Sequence, residues 1–264
     1  MSAGIQPPND SGFRLDKVSV YYGSELAVGE VSMAIAEHRI TTFIGPSGAG
    51  KTTLLRALNR MNDLVPEIRT EGLIEYRGQD LYGATVDLIG IRRRIGMVFQ
   101  KPNVFPKSIY DNIAYGPRLH DRTGELDELV RRCLERAGLW QEVKSQLSKP
   151  AMELSVGQQQ RLTIARCLAV NSEALLMDEP SASLDPVATH AIEELMAQLA
   201  IDHTIVLVTH NLQQALRVSN DVAFFEAEHC GQEERHGHLV EYGSADQVFA
   251  DPQDERTKVY LASS

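Results

Sequence analysis

The chain has 264 residues, 43% of them hydrophobic, and a formal net charge of −10. That length and apolar content can bury one large core or two small ones, and the acidic balance argues against nucleic acid as a partner, because phosphate-backbone binders carry a basic face. No stretch approaches the roughly 20 apolar residues of a membrane-spanning helix, and the first residues lack the basic start and apolar run of a secretory signal. The expectation is a protein inside the cell that reaches a membrane only through a partner.

In chain order, residues 1–12 are polar and hold Pro7, Pro8 and Gly12, so they read as a flexible tail. Residues 13–264 read as one domain. Segments 14–22, 31–35 and 40–44 read as short strands, the first two partly alternating. The third runs into a glycine-rich loop and then a helical stretch over 52–61. Residues 101–165 show no strand pattern and read as a helical insert. There Leu126, Leu129, Val130, Cys133, Leu134 and Ala137 make one apolar stripe, which Gly138 ends.

Segments 174–177 and 205–208 are short, continuous and apolar, as parallel strands covered on both faces are. Between them Asp185 can cap a helix with Pro186 at its first position. Strand, helix and parallel strand make an α/β core. The polar stretch 228–238 holds His229, Cys230, His236 and His238, and reads as a solvated hairpin loop rather than a metal site. Cys133, Cys167 and Cys230 are far apart and form no CxxC, so a disulfide framework and a zinc site are both disfavoured.

The chemistry begins with Gly45, Pro46, Ser47, Gly48, Ala49, Gly50, Lys51 and Thr52, which fit G-x-x-x-x-G-K-[ST]. Glycines let backbone N–H groups turn inward around phosphates; the lysine reaches the β- and γ-phosphates and the hydroxyl serves Mg²⁺. The helix that follows points its positive end at the anion. Asp178 and Glu179 end a buried strand. Asp178 suits the Mg²⁺ position of a phosphate-loop NTPase, and Glu179, pointing elsewhere, suits a base that polarises the attacking water. His210 follows the strand at 205–208, where ligands of a parallel sheet gather; it is placed to bond the γ-phosphate or hold the water in line.

The run Leu154, Ser155, Val156, Gly157, Gln158, Gln159, Gln160 and Arg161 resembles the LSGGQ signature of the ABC ATPase family. The order of phosphate loop, Gln100, signature, Asp178-Glu179, Asp185 and His210 is similar to that family's over residues 18–250. The resemblance implies a phosphate-loop NTPase core with a parallel sheet, an N-terminal antiparallel β subdomain and a helical insert that carries the signature. It implies ATP and Mg²⁺ as cofactors. Tyr22 would stack on adenine; Lys51, Thr52 and Thr53 would hold phosphates and metal; Gln100 would touch Mg²⁺ or the water. Glu179 would be the catalytic base and His210 the switch residue. Ser155, Gly157 and Gln158 would act on ATP bound to a second copy, with Asp185 at the dimer contact.

The segments 58–64 (LNRMNDL) and 99–103 (FQKPN) resemble the phosphate-import subgroup. That subgroup implies two transmembrane permease subunits, an extracytoplasmic solute-binding protein acting indirectly, and a peripheral position on the cytoplasmic face of the membrane. Two other expectations accompany it: an importer for another small solute such as polar amino acids, and a weakly hydrolysing regulatory module. The second arises from Val156, which replaces the first signature glycine; a β-branched residue does not easily take a positive φ.

Overall fold

The computed structural model describes residues 11–120, 124–230 and 234–263. Ten strands form one sheet: β1 (Ser11–Tyr22), β2 (Glu25–Ala36), β3 (Ile40–Ile44), β4 (Ile68–Tyr76), β5 (Gln79–Asp80), β6 (Ile95–Val98), β7 (Ala174–Asp178), β8 (Thr204–Val208), β9 (Asp221–Cys230) and β10 (Glu234–Ser244). Their order across the sheet is β5-β4-β1-β2-β10-β9-β3-β8-β7-β6. The half from β9 to β6 is parallel, while β1, β2, β4 and β5 pair antiparallel. The two halves meet through β10, whose Gly237 registers with Val28 of β2.

β3, β7 and β8 are buried along their whole length, which explains their unbroken apolar runs. Their alternate residues serve opposite faces. Leu175, Met177, Ile205 and Leu207 join a core with the helices α3 (Ile109–Leu119), α4 (Leu126–Arg136), α6 (Val156–Ala169) and α7 (Pro186–Leu199). Leu176, Val206 and Val208 join the opposite core, with Leu54 and Leu55 of α1 (Lys51–Ala57) and the inward face of β1 and β2. The remaining helices are α2 (Leu88–Arg94), α5 (Trp140–Val143), α8 (Leu212–Val218), α9 (Ala245–Ala250) and α10 (Glu255–Ala262). No described helix is long and apolar enough to cross a membrane.

Local signals act where they are written. Asp185 caps α7 by accepting from the N–H groups of Val187 and Ala188, and Pro186 begins the helix. Gly138, at φ 63°, follows α4 as its stripe predicts. Among the described residues of 101–165, helices and one isolated bridge between Ser108 and Pro150 occur, with no longer strand.

Two expectations change. β1 starts at Ser11, so residues 11 and 12 belong to a strand, and residues 1–10 lie outside the described part. Residues 228–230 end β9 and residues 234–238 begin β10, paired from Glu234 with Cys230 to His238 with Glu226, while 231–233 lie outside the described part. Backbone pairing carries a hairpin whatever its side chains, which is why composition alone reads this one as loop. The side chains of His229 and Cys230 lie outside the described residues, and His238 Nε2 sits 3.0 Å from an Arg256 nitrogen.

Gly237 matters for more than register. A Cβ there would lie 2.1 Å from the carbonyl oxygen of Ala49 in the phosphate loop. Gly237→Ala must therefore push β10 and the loop apart. The expected cost is about 1–3 kcal/mol of stability, as for other forced overpacking, read as a lower urea midpoint with an unchanged m-value.

Candidate active site at the carboxyl ends of the parallel strands

The phosphate loop leaves β3 at Gly45 and enters α1 at Gly50, and three of its glycines have positive φ: Gly45 at 137°, Gly48 at 85° and Gly50 at 72°. Two are also sterically committed. A Cβ on Gly45 would lie 2.0 Å from the Phe225 oxygen of β9, and one on Gly50 would lie 2.0 Å from Val28 Cγ2 of β2. The loop is thus pressed between strands from both halves of the sheet.

Lys51 opens α1 and is buried; its Nζ donates to the carbonyl oxygens of Gly45 and Pro46, each at 2.7 Å. Burial lowers its pKa below the ordinary lysine value, against the raising effect of the Glu179 and Asp178 charges. One residue on, Thr52 Oγ1 donates to Asp178 Oδ1 at 2.8 Å, tying the start of α1 to the end of β7. Arg56, one helical turn later, meets the other oxygen of Asp178 at 3.4 Å. Sequence reasoning missed Arg56, although its i+4 spacing from Thr52 puts it on the same helix face.

Glu179 follows Asp178 in a left-handed conformation, φ 47°, with its N–H bonded to the Val208 carbonyl at 2.9 Å. That backbone reversal turns its side chain away from that of Asp178. Glu179 Oε2 lies 2.9 Å from His210 Nδ1 and 3.5 Å from Gln100 Nε2. Residues just past β6, β7 and β8 therefore converge on one carboxylate.

A cavity of about 390 Å³ opens above the loop, lined by Tyr22, Ser47, Gly48, Gly50, Lys51, Thr52, Thr53, Glu179 and His210 among others. Gly45, Pro46 and Ala49 complete the loop, and Tyr22 Oη is 3.2 Å from Thr53 Oγ1. Glu25, Leu26 and Ala27 of β2 also line it; no local motif marks them, because only the fold of β1 onto β2 brings them there.

Ser155, Gly157, Gln158 and Asp185 do not line this cavity. Ser155 caps α6 in a reciprocal box with Gln158, whose Nε2 donates to Glu142 at 2.9 Å. Gly157 packs on α7, where a Cβ would lie 3.0 Å from that of Ala188. α6 is connected to the cavity side through Gln160, whose Nε2 donates to the Phe99 carbonyl, one residue before Gln100, at 2.9 Å. Val156 lies in the first turn of α6, is exposed, and is not among the residues with positive φ. The valine therefore brings no backbone strain to the signature. Burial pushes the thiols of Cys133 and Cys167 up to about 11, so neither is a reactive nucleophile at neutral pH.

The ABC transporter family model matches residues 28–182. The chain belongs to the ABC transporter family. It is 55% identical over 245 residues to a "Phosphate import ATP-binding protein PstB 1" of a Synechococcus strain, covering 93% of this chain and 89% of that one. A "Phosphate import ATP-binding protein PstB 2" of a Synechocystis strain is 54% identical, covering 93% of this chain and 92% of that relative. Among solved structures, a bacterial Atm1-family ABC exporter with ATP bound superposes with a TM-score of 0.77 at 26% identity, over 100% of this chain and 44% of that one. The fold is also that of cbiO1 from Clostridium perfringens, with a TM-score of 0.75 at 24% identity over 96% of this chain and 97% of that chain.

The lowered pKa of Lys51 has a stability consequence. Its ammonium is disfavoured in the folded chain, so the penalty is present below the folded pKa and fades as pH rises toward 10.5. Lys51→Met is expected to raise the melting temperature of the ligand-free protein at neutral pH. The difference from wild type should shrink as the pH of the thermal scan is raised toward 10.5.

Proposed function

We propose that this chain is the ATP-hydrolysing subunit of an importer that drives inorganic phosphate across a cell membrane. The observation that carries the hydrolytic reading is the convergence of His210 and Gln100 on the Glu179 carboxylate, beside a phosphate loop with Lys51 at its base. The substrate reading is supported by relatives named for phosphate import at 50–55% identity over most of the chain.

Lys51 is positioned to exchange its two carbonyl partners for β- and γ-phosphate oxygens, and the loop N–H groups and the start of α1 complete the cradle. Tyr22, at the cavity rim, offers a face for adenine. The Thr52 hydroxyl and the Asp178 carboxylate are oxygen donors 2.8 Å apart, a set that suits Mg²⁺, and Gln100 is the third candidate ligand. When bound, Mg²⁺ neutralises charge developing on the transferred phosphoryl group.

Glu179 takes a proton from the attacking water as its oxygen bonds to the γ-phosphorus and the bond to the bridging oxygen of ADP breaks. His210 holds the carboxylate from the end of the neighbouring strand and bonds the γ-phosphate. Ser155, Gly157 and Gln158 lie off this cavity because they serve the ATP of a second copy, with Asp185 at the contact between the two. Gln100 and the residues after it transmit closure to two permease subunits on the cytoplasmic face, which an extracytoplasmic solute-binding protein supplies.

Glu179→Gln should bind ATP, accumulate as an ATP-bound dimer in size-exclusion chromatography, and lose about 10²–10⁴-fold in turnover, the range for a general base. Normal turnover would remove Glu179 from that role. Val156→Gly should change turnover by less than about twofold, because the helical position asks for no positive φ. For the transported solute, radiolabelled phosphate uptake should return to cells lacking this chain on expression of wild type but not of Lys51→Ala. Absence of rescue with wild type present at the membrane would send the substrate elsewhere.

A further inference from the structure

Between the loop beyond Glu179 and the helix that follows His210 there is a further, side-chain contact. Gln214 is the third residue of α8, the helix that follows His210, and is fully buried. Its Nε2 donates to Ser181 Oγ at 2.8 Å, two residues beyond Glu179 and four before Asp185. The same nitrogen faces Glu193 Oε1 of α7 at 3.5 Å. That carboxylate fixes the orientation of the amide, since an amide oxygen turned toward it would be repelled. Glu193 is itself buried and held by Arg217 of α8 through two bonds of 2.7 and 2.9 Å.

We infer that Gln214 is a positioning residue for hydrolysis: with Ser181 it clamps the loop between Glu179 and Asp185 against the His210 helix. The inference rests on the hydrolytic roles proposed for Glu179 and His210. The 2.9 Å pair of Glu179 and His210 and the backbone bond from Glu179 N–H to the Val208 carbonyl fix the two strand ends, but neither reaches the loop beyond Glu179. The contact of Ser181 with Gln214 holds that loop to α8. The Glu193–Arg217 pair joins α7 to α8 behind the amide, so the loop is held by the helix that Asp185 caps as well as by the one that follows His210.

A purely structural reading accounts poorly for the glutamine. Its Oε1 is buried and makes no hydrogen bond among the described residues, a cost that an apolar side chain of similar volume would not incur. Ser181, only half-buried, can turn to water when its partner is removed. Glu193 keeps Arg217. Stability and turnover should therefore separate in the variant.

The test is a double-mutant cycle on Gln214→Leu and Ser181→Ala in the full chain, with kcat, KM for ATP and melting temperature measured for each. Both single variants should lose about tenfold in kcat and keep KM within about twofold. Gln214→Leu should keep the wild-type melting temperature, while Ser181→Ala, which leaves the buried amide nitrogen with only the 3.5 Å contact to Glu193, should lower it. The double variant should lose no more than the worse single one, because both remove the same clamp. Backbone hydrogen exchange at residues 181–185 should speed up in both single variants, a readout that needs no turnover. A kcat within twofold of wild type in both variants would overturn the inference, as would effects that multiply in the double variant or exchange that stays at the wild-type rate. The wild-type rate, abolished by Lys51→Ala, tests the hydrolytic reading itself, while the ratios to wild type and the exchange rates test the clamp. The two therefore fail separately.

Discussion

The phosphate loop meets the sheet with its own backbone, and much of the rest of the structure depends on that contact. Gly45 touches β9, Gly50 touches β2, and Ala49 touches Gly237 of β10, each at a distance that excludes a Cβ. Only glycine allows this closeness at Gly45, Gly50 and Gly237, because every other residue type adds at least one carbon there. A loop held by its own main chain has few ways to relax. Inward-facing N–H groups fixed in this way meet an anion without first being ordered, which is the physical content of a preorganised site.

The parallel half of the sheet supplies the remaining geometry. β6, β7 and β8 lie side by side, so the residues just past their ends are neighbours although they are far apart in the chain. Thr52 and Asp178 lie 126 residues apart and Gln100 and Glu179 lie 79 apart, yet each pair is in contact. The left-handed backbone of Glu179 sends two consecutive carboxylates to different tasks, one toward α1 and the other toward His210. Such a conformation is uncommon for a residue with a side chain, and strain of this kind collects where geometry serves chemistry.

Features whose cause is local were legible in the sequence. The spacing of Gly45, Gly50, Lys51 and Thr52 announces a phosphate cradle, Asp185 with Pro186 announces the start of α7, and Gly138 announces the end of α4's stripe. Features whose cause is long-range were not. Arg56 gains its partner only when α1 packs on β7, Gln214 meets Ser181 only when α8 lies over the loop, and the hairpin of β9 and β10 is hidden by polar side chains. The hydroxyl of Tyr22 reaches Thr53 through the fold of β1 and β2 over the loop, which no pattern around either residue encodes. Val156 shows the converse: a departure from the family's glycine looks serious in a string of letters and brings no backbone strain on a helix whose φ is ordinary.

The hairpin of β9 and β10 joins two unlike demands. Much of its described outer part is polar, and its backbone pairing asks little of side-chain identity. Gly237 lies within that permissive stretch, where the arm crosses Ala49. Random substitution should therefore be absorbed on either side of it and rejected at it. Along this arm, tolerance to change should form two broad plateaus cut by a notch one residue wide, with its depth set by the distance to a carbonyl oxygen and not by any chemistry of the side chain that is missing.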